Sequence, residues 1–176
     1  MPKVGMEPLR RRALIDAAIA AIGQRGSLDV TMTDIAGRAG VSPALAHHYF
    51  GAKDELIAAT MWHLLADLGG ELRRKLQRVE TSRERISAIV NVSFSVGQFS
   101  PEVVAAWLAF YVEAQRSPEL KAALAESYRS MRARIAESFG HAFASDEERD
   151  AAATYVIAVS DGLLIQHLLD PEAVPT

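Results

Sequence analysis

The stretch that decides the fold is residues 31–53, TMTDIAGRAGVSPALAHHYFGAK. Thr31 predicts the N-terminal cap of a short helix, because its hydroxyl can accept a hydrogen bond from a free backbone amide. Gly40 predicts a break, since glycine adopts left-handed backbone angles without a steric penalty. Ser42 and Pro43 then predict the cap and first position of a second helix. Two short helices joined by so tight a turn indicate a helix-turn-helix, whose second helix enters the major groove of DNA.

The rest of the chain also predicts helices. Alternating apolar and polar runs are absent, and Ala, Leu, Glu and Arg dominate, which favours an all-α fold. Thr81 with Glu84, and Ser145 with Glu148, match capping boxes, and Ser-Pro-Glu occurs twice as a helix start. We therefore predict eight helices, at residues 7–24, 32–39, 43–50, 53–79, 82–97, 101–116, 118–143 and 146–169.

Charge is distributed unevenly along the 176 residues. The first 50 residues hold six basic and four acidic side chains, a net charge of +2, whereas the whole chain carries −3, which leaves −5 for the remainder. A basic N-terminal part and a larger acidic remainder fit a small DNA-binding domain attached to a larger domain that does not bind DNA. The absence of Cys excludes disulfides and Cys-based zinc sites and fits a reducing compartment, and no signal peptide is expected.

Residues 31–56 resemble the TetR family of one-component transcriptional regulators. The matching residues are Thr31, Ile35, Ala36, Ala39, Gly40, Val41, Ser42, Tyr49, Phe50, Lys53 and Leu56. Residues 1–22, HYF at 48–50, AATM at 58–61 and WLAF at 107–110 are similar to the choline-responsive repressors of glycine-betaine synthesis within that family. The resemblance implies an N-terminal three-helix helix-turn-helix domain and a C-terminal helical domain for effector binding and dimerisation. We place the boundary between residues 1–52 and 53–176.

The resemblance also implies a set of DNA contacts. By position they are Thr31, Thr33, Ser42, Pro43, Ala44, Leu45, His47, His48, Tyr49 and Lys53, and His47 stands where the family usually has tyrosine. A cation at the N-terminus of a helix is disfavoured by the helix dipole, so a phosphate would account for Lys53, although a solvated lysine is the alternative. Arg10 and Arg11 are expected to contact phosphate or the minor groove, and a merely solvated surface is the alternative.

Aromatic residues provide a hypothesis for the effector site. Trp107, Phe110 and Tyr111 are spaced by three and four residues and share one helical face. The other candidates for a cage around a quaternary ammonium are Trp62, Phe94 and Phe99, with Glu113 as an anion. Each ring face attracts such a cation by about 0.5–2 kcal/mol. The resemblance implies choline or betaine aldehyde as the ligand. The alternative is that these rings belong to the hydrophobic core.

Residues 151–169 contain one acidic residue, Asp161, and no Lys or Arg. Their length approaches that of a membrane span, but Asp161, Gln166 and His167 interrupt the run and basic flanks are missing. A helix that is apolar on all sides is buried on all sides, which predicts a subunit interface here. The predicted interface residues are Tyr155, Val159, Leu163, Gln166 and His167.

Other chemistry receives little support from the sequence. His47 and His48 are adjacent and diverge on a helix, whereas paired metal ligands are spaced by four, and His63, His141 and His167 are isolated. No catalytic motif is present, so we expect neither enzymatic activity nor a cofactor or metal. Gly69-Gly70 interrupts the fourth helix and indicates either close packing or a soft point in a lever.

The sequence therefore predicts a cytoplasmic homodimeric repressor that binds double-stranded operator DNA and is released by a small molecule. Two alternatives stay open. One is a repressor of the same type that answers a different apolar or cationic ligand. The other is a helical ligand-binding protein or enzyme with no role on DNA.

Overall fold

A computed structural model of the chain describes residues 6–95, 97–140 and 142–174, without the side chain of Ser82. Within these residues it contains eight α-helices and no strand, which confirms the all-α prediction. The helices are α1 (Met6–Arg25), α2 (Met32–Arg38), α3 (Pro43–Phe50), α4 (Lys53–Leu76), α5 (Ser82–Ser93), α6 (Pro101–Glu113), α7 (Pro118–Phe139) and α8 (Asp146–Leu169).

Helix starts agree with the sequence better than helix ends do. Every start lies at the predicted residue or one residue before it, whereas α4, α5, α6 and α7 each end three or four residues early. The predicted ends of α5 and α7 were therefore wrong, although Val96 and His141, which those ends included, lie outside the described residues. α7 stops because Gly140 adopts a φ of +56°, a signal that the sequence already contained.

The described residues up to Leu65 form a first compact unit together with α6. α1 makes its most extensive helix contact with α6, and α2 and α3 also pack on α1. Gly23 permits this approach, because a Cβ at that position would lie 2.6 Å from both Cα and the carbonyl oxygen of Glu102. The core of this unit includes Leu14, Ile22, Ile35, Phe50, Leu56, Val104, Trp107 and Phe110.

The second compact unit comprises Ala66–Ser100 and the chain from Ala114 onwards. Its helices α5, α7 and α8 contact one another, and the far half of α4 belongs to the same unit. The buried core consists of Leu72, Ile89, Val92, Ile135, Phe139, Ala153 and Ile157. This packing places α6 with the N-terminal helices, which differs from a division of the chain between residues 52 and 53.

Two helices, α4 and α8, contain the unusual sequence features noted above, a pair of glycines and a long apolar run. In α4, a Cβ added at Gly69 would meet nothing within 4 Å, so the structure gives no close packing that requires this glycine. α8 is long and apolar enough to cross a membrane by length and composition alone, and 11% of its most apolar window is buried. One such helix is weak evidence for a membrane span.

Candidate functional site

The turn between α2 and α3 closes by two backbone hydrogen bonds around Gly40. The Val41 amide donates to the Ala36 carbonyl over 3.0 Å, and the Gly40 amide donates to the Gly37 carbonyl over 3.2 Å. Gly40 has a φ of +66°, as this pattern of helix termination requires. The turn thus satisfies the last carbonyls of α2 and directs the chain into α3 within three residues.

The start of α2 is held by a reciprocal capping box. The Asp34 amide donates to the Thr31 hydroxyl over 3.1 Å, and the Thr31 amide donates to the Asp34 carboxylate over 3.4 Å. Hydrogen bonds from the side chain and backbone of Thr31 hold the pKa of Asp34 below its usual value, and Arg25 and Arg38 add to the shift. Thr31, a predicted DNA contact, is exposed and is part of this cap.

Thr33 lies in an open groove on the same helix. The groove has a volume of about 700 Å³, and Arg25 and Arg38 contribute to its lining. The Arg38 guanidinium also donates to the Gln24 side-chain oxygen over 2.8 Å, which ties α2 to α1. Asp34 also lines the groove, so two arginines and one aspartate leave a net charge of +1 beside the exposed hydroxyl, which suits contact with an anion such as a phosphate.

The N-terminal tip of α3 faces solvent, while its base, meaning the side that packs on the rest of the unit, is buried. Ser42 caps the helix, since its hydroxyl accepts a hydrogen bond from the Leu45 amide over 3.2 Å. Ser42, Pro43 and Ala44 are exposed, and Leu45 is half-buried. Ala46 lies at the buried base. The predicted DNA-reading tip is therefore a small, accessible surface on a helix that packs firmly on its own unit.

The C-terminal end of α3 carries the aromatic cluster. The Nδ1 atom of His47 lies 2.7 Å from the Gly51 carbonyl oxygen, so the ring donates its Nδ1 proton there. His48 is exposed and its ring lies 5.4 Å from the half-buried ring of Tyr49, at an angle of 59°. Gly51, with a φ of +69°, then ends the helix. His48 is thus accessible, whereas one nitrogen of His47 is already engaged.

Arg11 contacts this end of α3 from α1. Its guanidinium carbon lies 4.2 Å above the centroid of the Phe50 ring, and its terminal nitrogen donates a hydrogen bond to the Tyr49 carbonyl. A cation near the C-terminus of a helix also interacts favourably with the helix dipole. Arg11 therefore positions α3 within the unit, a role that sequence reasoning missed, and the DNA contact expected of it stays a prediction.

Two further basic residues were predicted to contact DNA. Arg10 is half-buried near the start of α1, and Lys53 is half-buried at the first position of α4. Asp54 and Glu55 follow Lys53 and complement the positive end of that helix, which Lys53 itself does not. A phosphate beside Lys53 would therefore offset the unfavourable interaction of its charge with the helix dipole.

The three aromatic residues of α6 come together as their spacing predicts. The Trp107 and Tyr111 rings stack with their centroids 6.0 Å apart, and Phe110 meets Trp107 edge-on at 6.4 Å. Trp107 and Phe110 are buried, whereas Tyr111 and Glu113 are half-buried. Tyr111 is therefore the more accessible ring of the stack.

The other aromatic cage candidates, Trp62, Phe94 and Phe99, do not belong to α6. Trp62, on α4, is 54% exposed. Phe94 belongs to the second unit, where its ring lies 5.0 Å from that of Phe99, which in turn packs against His167. Within each unit, taken separately, the structure does not assemble all of the predicted cage residues.

A cavity of about 60 Å³ lies inside the second unit, and α4, α5, α7 and α8 all contribute to its lining. Asp161 is part of that lining, and its carboxylate accepts a hydrogen bond from the Tyr128 hydroxyl over 2.8 Å. Burial raises the pKa of the Asp161 carboxyl, and the hydrogen bond from Tyr128 partly opposes the shift. Sequence reasoning did not assign a role to this residue, although a lone acid in an apolar helix was a signal.

The predicted interface residues of α8 differ in exposure. Tyr155 is 73% and Val159 57% exposed, and Gln166 is exposed as well. Leu163 and His167 are half-buried, and the Nδ1 atom of His167 lies 2.7 Å from the Val174 carbonyl oxygen. The exposed part of the predicted interface thus centres on Tyr155 and Val159.

No group of three or more potential metal-ligating side chains occurs in the described part of the chain.

Comparison with known proteins assigns the two parts of the sequence separately. Residues 14–60 match the tetR family of bacterial regulatory proteins, and residues 82–176 match the C-terminal domain of BetI-type transcriptional repressors. The HTH-type transcriptional regulator BetI of Brucella anthropi is 54% identical over 173 residues, which cover 98% of this chain and 89% of the relative. BetI of Agrobacterium fabrum is 53% identical over 171 residues, covering 96% and 82%.

Solved structures share the fold at lower sequence identity. A protein of Saccharomonospora viridis crystallised in complex with choline has a TM-score of 0.79 and 23% identity, covering 95% of this chain and 89% of that one. A transcriptional regulator from a Rhodococcus species has a TM-score of 0.78 and 22% identity, covering 94% and 87%. At these identities the likeness concerns the fold alone.

Proposed function

The chain belongs to the TetR family of transcriptional regulators, with a BetI-type C-terminal domain, and from this premise we propose that it is a choline-responsive repressor controlling the conversion of choline to glycine betaine. Its relatives are regulators and not enzymes, so the enzymatic alternative is wrong. Regulators of this kind act on chromosomal DNA, and we place the protein in the cytoplasm.

DNA recognition would use α3 as the recognition helix. The observation that carries this proposal is the exposed tip formed by Ser42, Pro43 and Ala44 on a helix whose base is buried. In a homodimer, two such helices would enter successive major grooves of a near-palindromic operator, about one helical turn apart. His48 and Tyr49 at the far end would approach bases or phosphates, and Lys53 would hold a phosphate.

Dimerisation would use α8. Tyr155 and Val159 present large apolar side chains to solvent on this helix, and an apolar surface of this kind is typical of an interface between subunits. A second copy of the chain would cover them.

The effector would be choline or betaine aldehyde. The names of the BetI relatives and the choline complex of the Saccharomonospora viridis protein support a quaternary ammonium ligand. Tyr111, stacked on Trp107, supplies ring faces of the kind that attract such a cation. Ligand binding would favour a state in which the recognition helices are wrongly spaced, so ligand and operator would oppose each other through one coupling free energy.

A gel-shift assay with DNA from upstream of the protein's own gene tests this proposal. We expect a retarded complex with this DNA and none with a scrambled duplex of equal length. Choline should dissociate the complex at a concentration that leaves the complex of an unrelated DNA-binding protein intact. Absence of the complex would overturn the repressor proposal. A complex that choline and betaine aldehyde leave unchanged would instead favour a repressor answering a different apolar or cationic ligand.

A further inference from the structure

The cavity in the second unit combines apolar walls with one acidic side chain. Leu68, Met131, Ile135 and Ile157 supply apolar surface, and Ser93, Gln98, Ser160 and Asp161 supply the polar atoms. Among the described residues that line the cavity, none is Lys, Arg or His. In the described part of the lining, the carboxylate of Asp161 is therefore the one formal charge that an occupant meets.

This carboxylate is partly buried, and the described lining places no cation beside it, which is an unfavourable arrangement. Removing an ionised group from water costs free energy unless a counter-ion or several hydrogen bonds compensate. Tyr128 donates one hydrogen bond at 2.8 Å, and burial still outweighs it, since the pKa of Asp161 is raised. A bound cation would supply the missing compensation.

The walls decide which kind of cation fits. A metal ion in a protein is usually held by several charged ligands, whereas the described lining of this cavity offers one carboxylate, and its other polar side chains, Ser93, Gln98 and Ser160, are neutral. A quaternary ammonium has no N–H to donate, carries a diffuse charge and has an apolar surface, which suits aliphatic walls around one anion. Met131 adds a flexible, polarisable thioether that can adapt to the methyl groups.

We propose that the cavity beside Asp161 is a binding site for a small quaternary ammonium, in which the Asp161 carboxylate is the counter-ion and the Tyr128 hydroxyl positions it. This inference rests on the proposed function, because the cation would be the effector. The effector would then bind in this cavity, which lies wholly within the second unit, and not at the ring stack of α6.

The size of the cavity gives the site a mechanical consequence. A volume of about 60 Å³ holds only a few water molecules, so the cavity must widen if a whole choline is to enter it. Leu68 belongs to one of these walls and lies on α4, the continuous helix that begins at Lys53. Entry of the ligand would thus act on the same helix that carries a predicted DNA contact.

The test is calorimetric titration of the full-length protein with choline and with its uncharged carbon isostere, in which tert-butyl replaces trimethylammonium. Asp161→Asn keeps the size and the hydrogen-bond acceptor but removes the charge, and Asp150→Asn removes an exposed charge from the same helix. We expect wild type and Asp150→Asn to bind choline alike, and Asp161→Asn to bind it about 10- to 100-fold more weakly. Wild type should bind the uncharged isostere about 10- to 100-fold more weakly than choline. This second comparison does not depend on the folding of any variant.

Each contrary result has a distinct meaning. Undiminished choline affinity in Asp161→Asn, or equal affinity of wild type for choline and its isostere, would overturn this inference and leave the proposed function standing. Loss of choline binding in Tyr111→Leu with no loss in Asp161→Asn would assign the effector to the α6 ring stack instead. A wild-type protein that binds neither choline nor betaine aldehyde would overturn both the inference and the effector part of the proposed function. The gel-shift assay tests operator binding separately.

Discussion

The guanidinium carbon of Arg11 lies 4.2 Å from the centroid of the Phe50 ring, so α1 fixes the C-terminal end of the recognition helix. The same guanidinium donates a hydrogen bond to the Tyr49 carbonyl. One side chain thus combines a cation–π contact, a hydrogen bond and a favourable interaction with the helix dipole.

We predict that Arg11→Ala lowers the free energy of unfolding by about 1–3 kcal/mol, because it removes both contacts at a half-buried position. Chemical denaturation measures this. Arg12→Ala is the matched control, since Arg12 forms an exposed ion pair with Asp16 at 2.8 Å. Its effect should stay within about 0.5 kcal/mol. Equal effects of the two substitutions would show that the contacts of Arg11 with α3 contribute no more to the free energy of unfolding than an exposed ion pair does.

A second prediction concerns Gly23. In Gly23→Ala the new Cβ would lie 2.6 Å from backbone atoms of Glu102, which cannot rotate away, so α1 and α6 must separate. The strain of such overpacking is about 1–3 kcal/mol, and it exceeds the roughly 1 kcal/mol that alanine gains over glycine in a helix. Thermal denaturation should show a lower midpoint. Gly37→Ala, where nothing lies within 4 Å, should keep or raise it; a parallel gain in Gly23→Ala would contradict the close approach.

A third prediction separates a phosphate contact from a base contact. Lys53→Ala should weaken binding to every DNA sequence. It should also reduce the slope of the logarithm of the binding constant against the logarithm of the salt concentration by about one unit, because one fewer counterion is released. Lys121→Ala, an exposed lysine on α7, should change neither quantity. Unchanged affinity and slope in Lys53→Ala would remove this residue from the interface.

His48→Ala, in contrast, should alter which operators are preferred, since His48 is exposed on the recognition helix. Selection from a randomised operator library measures the preference. A proportionate loss of affinity across all sites would assign His48 to the phosphate backbone instead of the bases.

The fourth prediction concerns the dimer. Val159→Glu places a charge on the exposed apolar part of α8 and should shift the protein toward monomers in sedimentation velocity. Val112→Glu is the matched control, because Val112 on α6 is 61% exposed and lies outside the proposed interface. Operator affinity should fall with the dimer, since two linked half-site contacts reinforce each other. An unchanged dimer in Val159→Glu would move the interface away from this part of α8.

The sequence predicted the local features and missed the contacts that join distant residues. Thr31, Gly40, Ser42 and Pro43 act through hydrogen bonds and backbone angles within a few positions, so their residue types carry the information. The spacing of Trp107, Phe110 and Tyr111 likewise predicted that their rings meet, but spacing does not say which helix covers them.

The contacts of Arg11 with Phe50 and of Gly23 with Glu102 join residues about forty and eighty positions apart. Neither pair has a local pattern that would reveal it. The grouping of α6 with the first helices follows from the second contact, which is why a boundary placed by sequence alone did not anticipate it. Helix ends were missed for a related reason: their residues carry fewer distinctive signals than capped starts.

The fifth prediction follows from the raised pKa of Asp161. Because burial favours the protonated form, the folded protein holds this proton to a higher pH than the unfolded chain does. Between the usual pKa of 3.8 and the raised folded value, the native state therefore binds more protons, and its stability falls as the pH rises. Below the usual value the contribution is fully present, and above the folded value it is lost.

Asp161→Asn removes this dependence, because its amide does not titrate in that range. Among the described residues lining the cavity, Ser93, Gln98 and Ser160 have no side chain that titrates in that range. The stability of the variant relative to wild type should therefore rise with pH and level off above the folded pKa, as urea denaturation at a series of pH values would measure. Asp150→Asn, which is exposed on the same helix, should show no such rise. A difference between Asp161→Asn and wild type that is constant with pH would mean that the Asp161 carboxylate is already compensated in the folded protein, and the cavity would then have no uncompensated charge for a cation to neutralise.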